Sequence, residues 1–233
     1  MTLLFVHGAG GSHFSWQLQL HHFKDAHAVD LPGHPEGPGL KTIGEYVEWV
    51  EHYAQQNNLK YLVLAGHSMG GAIAIEYALR NQNLRALVLV GTGARLRVRQ
   101  DITDMILKNY EEASKLVARL SVAPNCEPVM IDRIAKEMLT VRAEVTYGDW
   151  MACNGFDRMS EIQRITVPTL VICGTDDRLT PPKYSQYLHE KIRNSKLVVI
   201  PNAGHSVMLE QYRAFNEAVE VFLASLGASE PAA

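Results

Sequence analysis

The chain has 233 residues, of which 47% are hydrophobic and 20% are charged, and its formal net charge at pH 7 is −3. Length and composition together predict a single globular domain with a sizeable core. The near-neutral charge argues against nucleic acid or an anionic membrane as a partner. The opening apolar run, 1–6, is too short for a signal peptide and no run reaches membrane-spanning length, so we expect a cytoplasmic protein.

The first predicted strand, Leu3–Val6, leads into a glycine-rich loop, His7–Gly11. One interpretation of this loop is a dinucleotide-binding fingerprint, with Asp30 as the acid that would bind the ribose. That fingerprint needs a third glycine where His13 stands. We therefore favour a loop that supplies an oxyanion-hole donor, the N–H of Ala9, over the nucleotide site and over a plain structural turn.

The second predicted strand, His27–Asp30, is followed by a loop rich in Gly and Pro that runs to residue 40. Thr42 is a typical N-cap, and the apolar spacing after it predicts a helix to about Gln56.

The most informative stretch places a serine between a strand and a helix. Tyr61–Ala65 is an apolar run typical of a buried strand, and Ala72–Arg80 has the apolar spacing of a helix. Between them stands Gly66-His67-Ser68-Met69-Gly70. The Gly-x-Ser-x-Gly pattern alone is a modest signal. On a tight turn from a strand into a helix, however, it predicts that Ser68 is a nucleophile and not a structural turn serine.

The residue after this serine offers a second oxyanion donor. A helix leaves its first amides unpaired, and its dipole is positive at that end. The N–H of Met69 is therefore predicted to face the oxygen anion that develops on a substrate attacked by Ser68.

A helical block interrupts the alternation of strands and helices. Ala86–Val90 is a fourth strand, and the alternation up to it indicates a parallel sheet covered on both faces. From residue 96 to about 162 there are only helical pieces, separated at 123–125 and 147–149. We therefore divide the chain into a core, residues 1–95 and 163–233, and a helical cap or lid, residues 96–162.

The remaining candidate residues follow the last two strands. A loop with two adjacent acids, Asp176 and Asp177, follows the strand Val167–Cys173, and His205 follows the strand Leu197–Ile200. The carboxyl ends of parallel strands meet at one edge of a sheet, which brings these loops towards the serine. A histidine there would remove the serine proton, and an aspartate would fix the imidazole tautomer.

The order Ser, Asp, His along the chain is that of the α/β-hydrolases, and this chain resembles that superfamily over nearly its whole length. It is similar to small bacterial carboxylesterases and lipase-like members with a helical lid. The family's acid-loop pattern, Gly-x-x-Asp-x-x-x-Pro, fits Gly174 to Pro181 and selects Asp177, with Asp176 as the alternative. The matching stretches are His7-Gly8-Ala9-Gly10-Gly11, Asp30-Leu31-Pro32-Gly33-His34, Gly66-His67-Ser68-Met69-Gly70-Gly71, Val167-Pro168-Thr169 to Pro181, and Gly204-His205.

The resemblance implies an α/β class structure, the α/β-hydrolase fold, with a mostly parallel sheet of about six strands. Helices would cover both faces, and the helical cap would follow the fourth strand. The hairpin that usually opens the family's sheet has no counterpart before Leu3, so we expect the sheet to be all parallel. A differently exposed sheet edge follows, and we expect a monomer or a homodimer.

The resemblance also implies a serine hydrolase that cleaves a small-molecule carboxylic ester, with a small or medium acyl chain, through an acyl-enzyme. Its catalytic residues would be Ser68, Asp177 and His205, and it would need no metal and no organic cofactor. An apolar acyl pocket is expected to use Phe14, Trp16 or Trp150.

Several other chemistries remain open. Carbon–carbon bond hydrolases, perhydrolase-type haloperoxidases and hydroxynitrile lyases share the same three residues. Haloalkane dehalogenases and epoxide hydrolases are disfavoured, because their nucleophile is an aspartate. A ligand receptor with slow turnover on the same scaffold is the alternative from another class, and a nucleotide-binding oxidoreductase is the third.

Overall fold

Six parallel strands form one sheet, in the order β2-β1-β3-β4-β5-β6, in the computed structural model, which describes residues 1–81 and 83–227. The three strands β3, β4 and β5 are buried at every residue, as expected for apolar runs in the middle of a parallel sheet. The prediction of an all-parallel sheet of about six strands is confirmed. The strands are β1 (Thr2–Val6), β2 (Ala26–Val29), β3 (Leu62–His67), β4 (Ala86–Val90), β5 (Thr169–Gly174) and β6 (Ser195–Ile200).

Helices cover both faces of the sheet. They are α1 (Gln17–His22), α2 (Ile43–Gln56), α3 (Met69–Arg80), α4 (Gln100–Lys108), α5 (Tyr110–Leu120), α6 (Pro128–Met138), α7 (Ala143–Gly155), α8 (Pro182–Lys191), α9 (Val207–Glu210) and α10 (Tyr212–Gly227). Helices α2, α3 and α8 pack on the face that carries Leu4 and Val6, and α1, α9 and α10 pack on the face that carries Leu3 and Phe5. Alternate residues of each strand thus point into two separate hydrophobic cores.

The turn from β3 into α3 leaves no room for side chains on either side of the serine. A Cβ on Gly66 would lie 2.1 Å from the carbonyl oxygen of Gly70, and a Cβ on Gly70 would lie 2.3 Å from the carbonyl oxygen of Val6. These glycines let the strand and the helix approach closely enough to form a sharp turn.

Helices α4 to α7 lie between β4 and β5 in the chain and share a small apolar cluster of their own. Its buried members are Ile102, Ile106, Ala113, Val117 and Met138. The break predicted at 147–149 is wrong, because α7 continues through these residues to Gly155. Long-range contacts of Asp149 outweigh the weak helix propensity of Gly148. The boundaries of the cap remain a prediction.

Across residues 1–81 and 83–227, no helix combines the length and the apolarity needed to span a membrane.

Candidate active site

Ser68 lies in a strained conformation between β3 and α3. Its φ of 54° and ψ of −114° fall in a region that side chains other than glycine rarely adopt. Such strain costs on the order of 1–3 kcal/mol and persists only where the surrounding structure enforces it. Here the Ser68 N–H donates to the carbonyl of Val90, and its carbonyl accepts from the hydroxyl of Thr92. The backbone of the candidate nucleophile is therefore held from both sides.

The structure brings Asp177, and not Asp176, to His205. The Oδ2 atom of Asp177 lies 2.9 Å from Nδ1 of His205, and both side chains are buried. Asp176 is half-buried and accepts instead from the hydroxyl of Thr175 at 2.7 Å. Because a carboxylate oxygen accepts, Nδ1 of His205 carries the proton and Nε2 is left unprotonated in the neutral ring. This is the tautomer that a general base needs.

Thr180 supports the same carboxylate and was not singled out from the sequence. The backbone N–H groups of Leu179 and Thr180 donate to Oδ1 of Asp177 at 2.9 and 2.8 Å, and the Thr180 hydroxyl donates to Oδ2 at 2.9 Å. Burial alone would raise the pKa of Asp177, but the charge of His205 and these hydrogen bonds outweigh it and leave the pKa below its ordinary value. Asp177 therefore stays ionised in the buried site.

His67, in the variable position of the serine motif, holds the backbone of His205. Its Nε2 lies 3.0 Å from the carbonyl oxygen of His205, so this nitrogen donates. The two rings are 4.5 Å apart. Burial and the neighbouring His205 lower the pKa of His67 to about 3. A neutral His67 therefore places no charge beside the candidate base at neutral pH.

His7 has a defined tautomer as well. Its Nδ1 lies 2.8 Å from the carbonyl of Gly8 and must donate, while its Nε2 accepts from the N–H of Leu31 at 3.1 Å. Burial and the nearby His34 lower its pKa to about 3. His7 thus ties the glycine loop to the chain after β2.

The glycine loop presents an amide with no acceptor. The carbonyl of Gly8 accepts from His7 Nδ1 and, at 3.1 Å, from the N–H of Gly11. Because a peptide unit is planar, these bonds fix the Gly8–Ala9 unit and point the Ala9 N–H the opposite way. Neither the Ala9 N–H nor the Met69 N–H donates to any of the described residues. Both remain available to a substrate oxygen.

A cavity of about 150 Å³ opens over Ser68 and His205. The glycine loop forms one part of its wall, and apolar residues of the inserted helices form another. These apolar residues are Ile102, Val117, Ile134, Met138, Trp150 and Cys153.

Only one of the three aromatic residues expected at an acyl pocket lines this cavity. Trp150 does so. Phe14 is 56% exposed, and Trp16 is fully buried in the core with its ring stacked 4.6 Å from that of Phe5. The prediction for Phe14 and Trp16 is wrong, because the short helical turn that begins at His13 directs one ring outward and the other under the sheet.

Glu210 joins the loop of the candidate base to the inserted helices. Its Oε1 accepts from the N–H of Gly204 at 2.8 Å, and its Oε2 accepts from the N–H of Ala123 at 2.7 Å. Burial raises the pKa of Glu210, although these two amides act in the opposite direction. Nothing in the local sequence indicated this contact, which spans 87 residues.

No group of three or more His, Cys, Asp or Glu side chains within 1–81 and 83–227 is arranged to hold a metal ion.

Proteins of similar sequence or structure include several that are named as hydrolases or esterases. A model of the alpha/beta hydrolase family matches residues 3–218. The solved structure of a thermophilic esterase is 37% identical, with a TM-score of 0.87 over 97% of this chain and 90% of that chain. AB hydrolase superfamily protein YisY of Bacillus subtilis is 28% identical over 94% of this chain and 90% of its own. A pimeloyl-(acyl-carrier protein) methyl ester esterase of Neisseria meningitidis is 27% identical over 81% of this chain and 78% of its own.

Proposed function

The chain belongs to the alpha/beta hydrolase family, and we propose that it hydrolyses carboxylic esters through an acyl-enzyme formed on Ser68. The observation that carries this proposal is that His205, which lines the same cavity as the strained Ser68, is paired with the buried, ionised Asp177. The likeness to a thermophilic esterase and to a methyl ester esterase supports the reaction class.

The reaction begins when the Ser68 hydroxyl attacks the ester carbonyl and Nε2 of His205 takes its proton. Asp177 stabilises the imidazolium that results, and the amides of Ala9 and Met69 bind the oxyanion. His205 then returns the proton to the departing alcohol. In the second half, His205 removes a proton from water, the hydroxide attacks the acyl carbonyl, and the acid leaves as Ser68 regains its proton.

The size of the cavity favours short acyl groups. A cavity volume of about 150 Å³ is enough for a benzene-sized group of about six carbons. Its wall is largely apolar, and Trp150 is the largest apolar side chain that the inserted helices contribute. A short unbranched acyl chain is therefore the proposed acyl part of the substrate, and no cofactor is required.

Hydrolysis of p-nitrophenyl esters with acyl chains of increasing length, by the native protein and by Ser68→Ala, tests this proposal. We expect the native protein to be fastest on acyl chains of up to about six carbons. The variant should lose about three or more decades of kcat/KM. A native protein no faster than the variant on every ester would contradict the proposal and direct attention to carbon–carbon substrates or to a receptor.

A further inference from the structure

Two carboxylates of the inserted helices accept hydrogen bonds from the backbone of the glycine loop. Asp149 of α7 accepts from the N–H of Gly10 at 2.9 Å, and Glu137 of α6 accepts from the N–H of Ser12 at 3.2 Å. The two contacts span 139 and 125 residues of sequence. The loop that carries Ala9 is thus held by side chains from helices that belong to neither of its neighbouring elements.

Asp149 is part of a fully buried ion pair. Its Oδ2 also accepts from Nε2 of His34 at 2.7 Å, its Oδ1 accepts from the hydroxyl of Tyr46 at 2.6 Å, and the side chains of Asp149 and His34 are inaccessible to solvent. Nδ1 of His34 faces the carbonyls of Leu31 and Pro32 at 3.2 and 3.1 Å. Since all these oxygens accept, both ring nitrogens of His34 carry protons and the ring is a cation.

The charge on His34 has a physical cause. Burial alone would lower the pKa of His34, but the hydrogen bond to Asp149 and its negative charge outweigh burial and raise the pKa. The carboxylate that accepts from Gly10 is therefore fixed by two further donors and cannot turn away from the loop without leaving a buried charge unpaired.

Glu137 supplies the second support. Its Oε1 accepts from the hydroxyls of Ser12 and Ser15, each at 2.9 Å, in addition to the N–H of Ser12. Glu137 is half-buried and lines the cavity beside the loop. Three donors on one oxygen hold the end of the loop against α6.

These contacts hold the turn that contains the Ala9 amide. Gly10 adopts a left-handed φ of +64°, and its N–H, fixed by Asp149, sets the plane of the Ala9–Gly10 peptide unit. The plane of the preceding unit is set by the two donors to the Gly8 carbonyl. The Ala9 N–H lies in the Gly8–Ala9 unit, and the bonds from Gly10 and Ser12 hold the following residues so that Gly11 can donate to the Gly8 carbonyl.

We propose that Asp149 and Glu137 are positioning residues for the oxyanion hole, so that the Ala9 amide keeps its place in this hole only while α6 and α7 are seated on the glycine loop. This inference rests on the proposed ester hydrolysis. On this inference, the inserted helices hold the oxyanion loop in place and also form a wall of the cavity. The substrate ester touches Ala9, and the two carboxylates act through the loop.

Steady-state kinetics of Asp149→Ala and Glu137→Ala on a p-nitrophenyl ester test the proposal, with Asp132→Ala as the matched control. Asp132 is exposed on α6, and its carboxylate forms no hydrogen bond or ion pair with the residues that the structure describes. A direct oxyanion donor contributes about 10²–10³ in kcat, so a displaced one should cost about 10–100-fold. We expect that loss in kcat with KM within about twofold, because oxyanion contacts form in the transition state. Glu137→Gln, which keeps a side-chain oxygen for Ser12, should recover most of the rate.

Amide hydrogen exchange of residues 8–12 gives a readout that does not depend on turnover. Exchange at Gly10 should be at least tenfold faster in Asp149→Ala than in the native protein and unchanged in Asp132→Ala. If Asp149→Ala does not fold, Glu137→Ala, at a half-buried position, tests the proposal through its kcat and the exchange at Ser12. Folded variants with native kcat, or a raised KM at native kcat, would overturn the inference. A native protein that is no faster than Ser68→Ala would instead refute the ester hydrolysis, while the exchange result would still decide whether the carboxylates hold the loop.

Discussion

The protons of the two neighbouring histidines, His67 and His205, have only one arrangement that satisfies every contact. The carbonyl of His205 accepts from His67, and the carboxylate of Asp177 accepts from Nδ1 of His205. Each acceptor fixes a proton on the nitrogen that faces it, which leaves Nε2 of His205 as the free basic nitrogen. The role proposed for His205 thus follows from backbone and carboxylate contacts.

Replacement of Asp177 by Asn tests this assignment at the scale of one residue. We expect Asp177→Asn to lower kcat for ester hydrolysis by about three to four decades, because the amide cannot stabilise the imidazolium and favours the wrong tautomer. The matched control is Asp176→Asn, since Asp176 contacts the hydroxyl of Thr175 and not His205. Its kcat should stay within about threefold of native. Equal losses in the two variants would contradict the assignment of Asp177.

At the scale of secondary-structure elements, Glu210 of α9 holds two loops together. One is the loop before His205, through Gly204, and the other follows α5, through Ala123. A third contact joins the same loops, because the N–H of Ser206 donates to the carbonyl of Ser121 at 2.7 Å. The position of His205 therefore depends on where the end of α5 lies.

Removal of the Glu210 carboxylate should loosen both loops. In Glu210→Ala two buried amides lose their acceptor, at a cost of about 1–3 kcal/mol each in the free energy of unfolding. We expect urea unfolding to show a loss of about 2–6 kcal/mol, and kcat to fall as His205 loses its fixed place. Glu217→Ala, at an exposed position of α10, is the control and should unfold like the native protein. A native unfolding midpoint in Glu210→Ala would show that the amides find other partners.

The strands and the serine turn could be predicted because their signals are local. Apolar runs such as Ala86–Val90 coincide with a strand, and Thr42 caps α2 through the expected hydrogen bond to Glu45. The supports of the site were not predicted. Asp149 and Glu210 act through contacts that span 139 and 87 residues, and no local pattern marks such partners.

The positions of the aromatic residues in the first helical turn also could not be predicted from local sequence. Phe14 and Trp16 are two positions apart, and the sequence gives no sign of which ring is exposed. Trp16 is buried because its ring packs against Phe5 of the sheet and Phe215 of α10. Trp150 reaches the cavity because α7 packs against α4, which is a contact between two predicted helices whose relative placement the sequence does not specify.

At the scale of the whole molecule, three buried histidines make the free energy of unfolding depend on pH, two of them in one direction and one in the other. His7 and His67 are neutral in the folded protein, with pKa values lowered to about 3 by burial. His34 is a cation beside Asp149, with its pKa raised. The folded protein therefore disfavours protonation of His7 and His67 and favours protonation of His34.

The free energy of unfolding should therefore be highest near pH 6.5, the ordinary pKa of histidine. Below pH 6.5, His7 and His67 bind protons in the unfolded chain but stay neutral in the folded protein. This difference lowers the free energy of unfolding by about 2 kcal/mol for each histidine at pH 5. Above pH 6.5, His34 loses its proton in the unfolded chain at a lower pH than in the folded protein. Its contribution to the free energy of unfolding is therefore lost as the pH rises through its folded pKa.

Urea unfolding at pH 5, 6.5 and 8 measures the acid and the alkaline decline in the free energy of unfolding. We expect His67→Gln to lose about half of the roughly 4 kcal/mol decline at pH 5, and His34→Gln to flatten the alkaline side, while exposed His21→Gln changes neither. An acid decline of native size in His67→Gln would show that other groups control the stability at low pH.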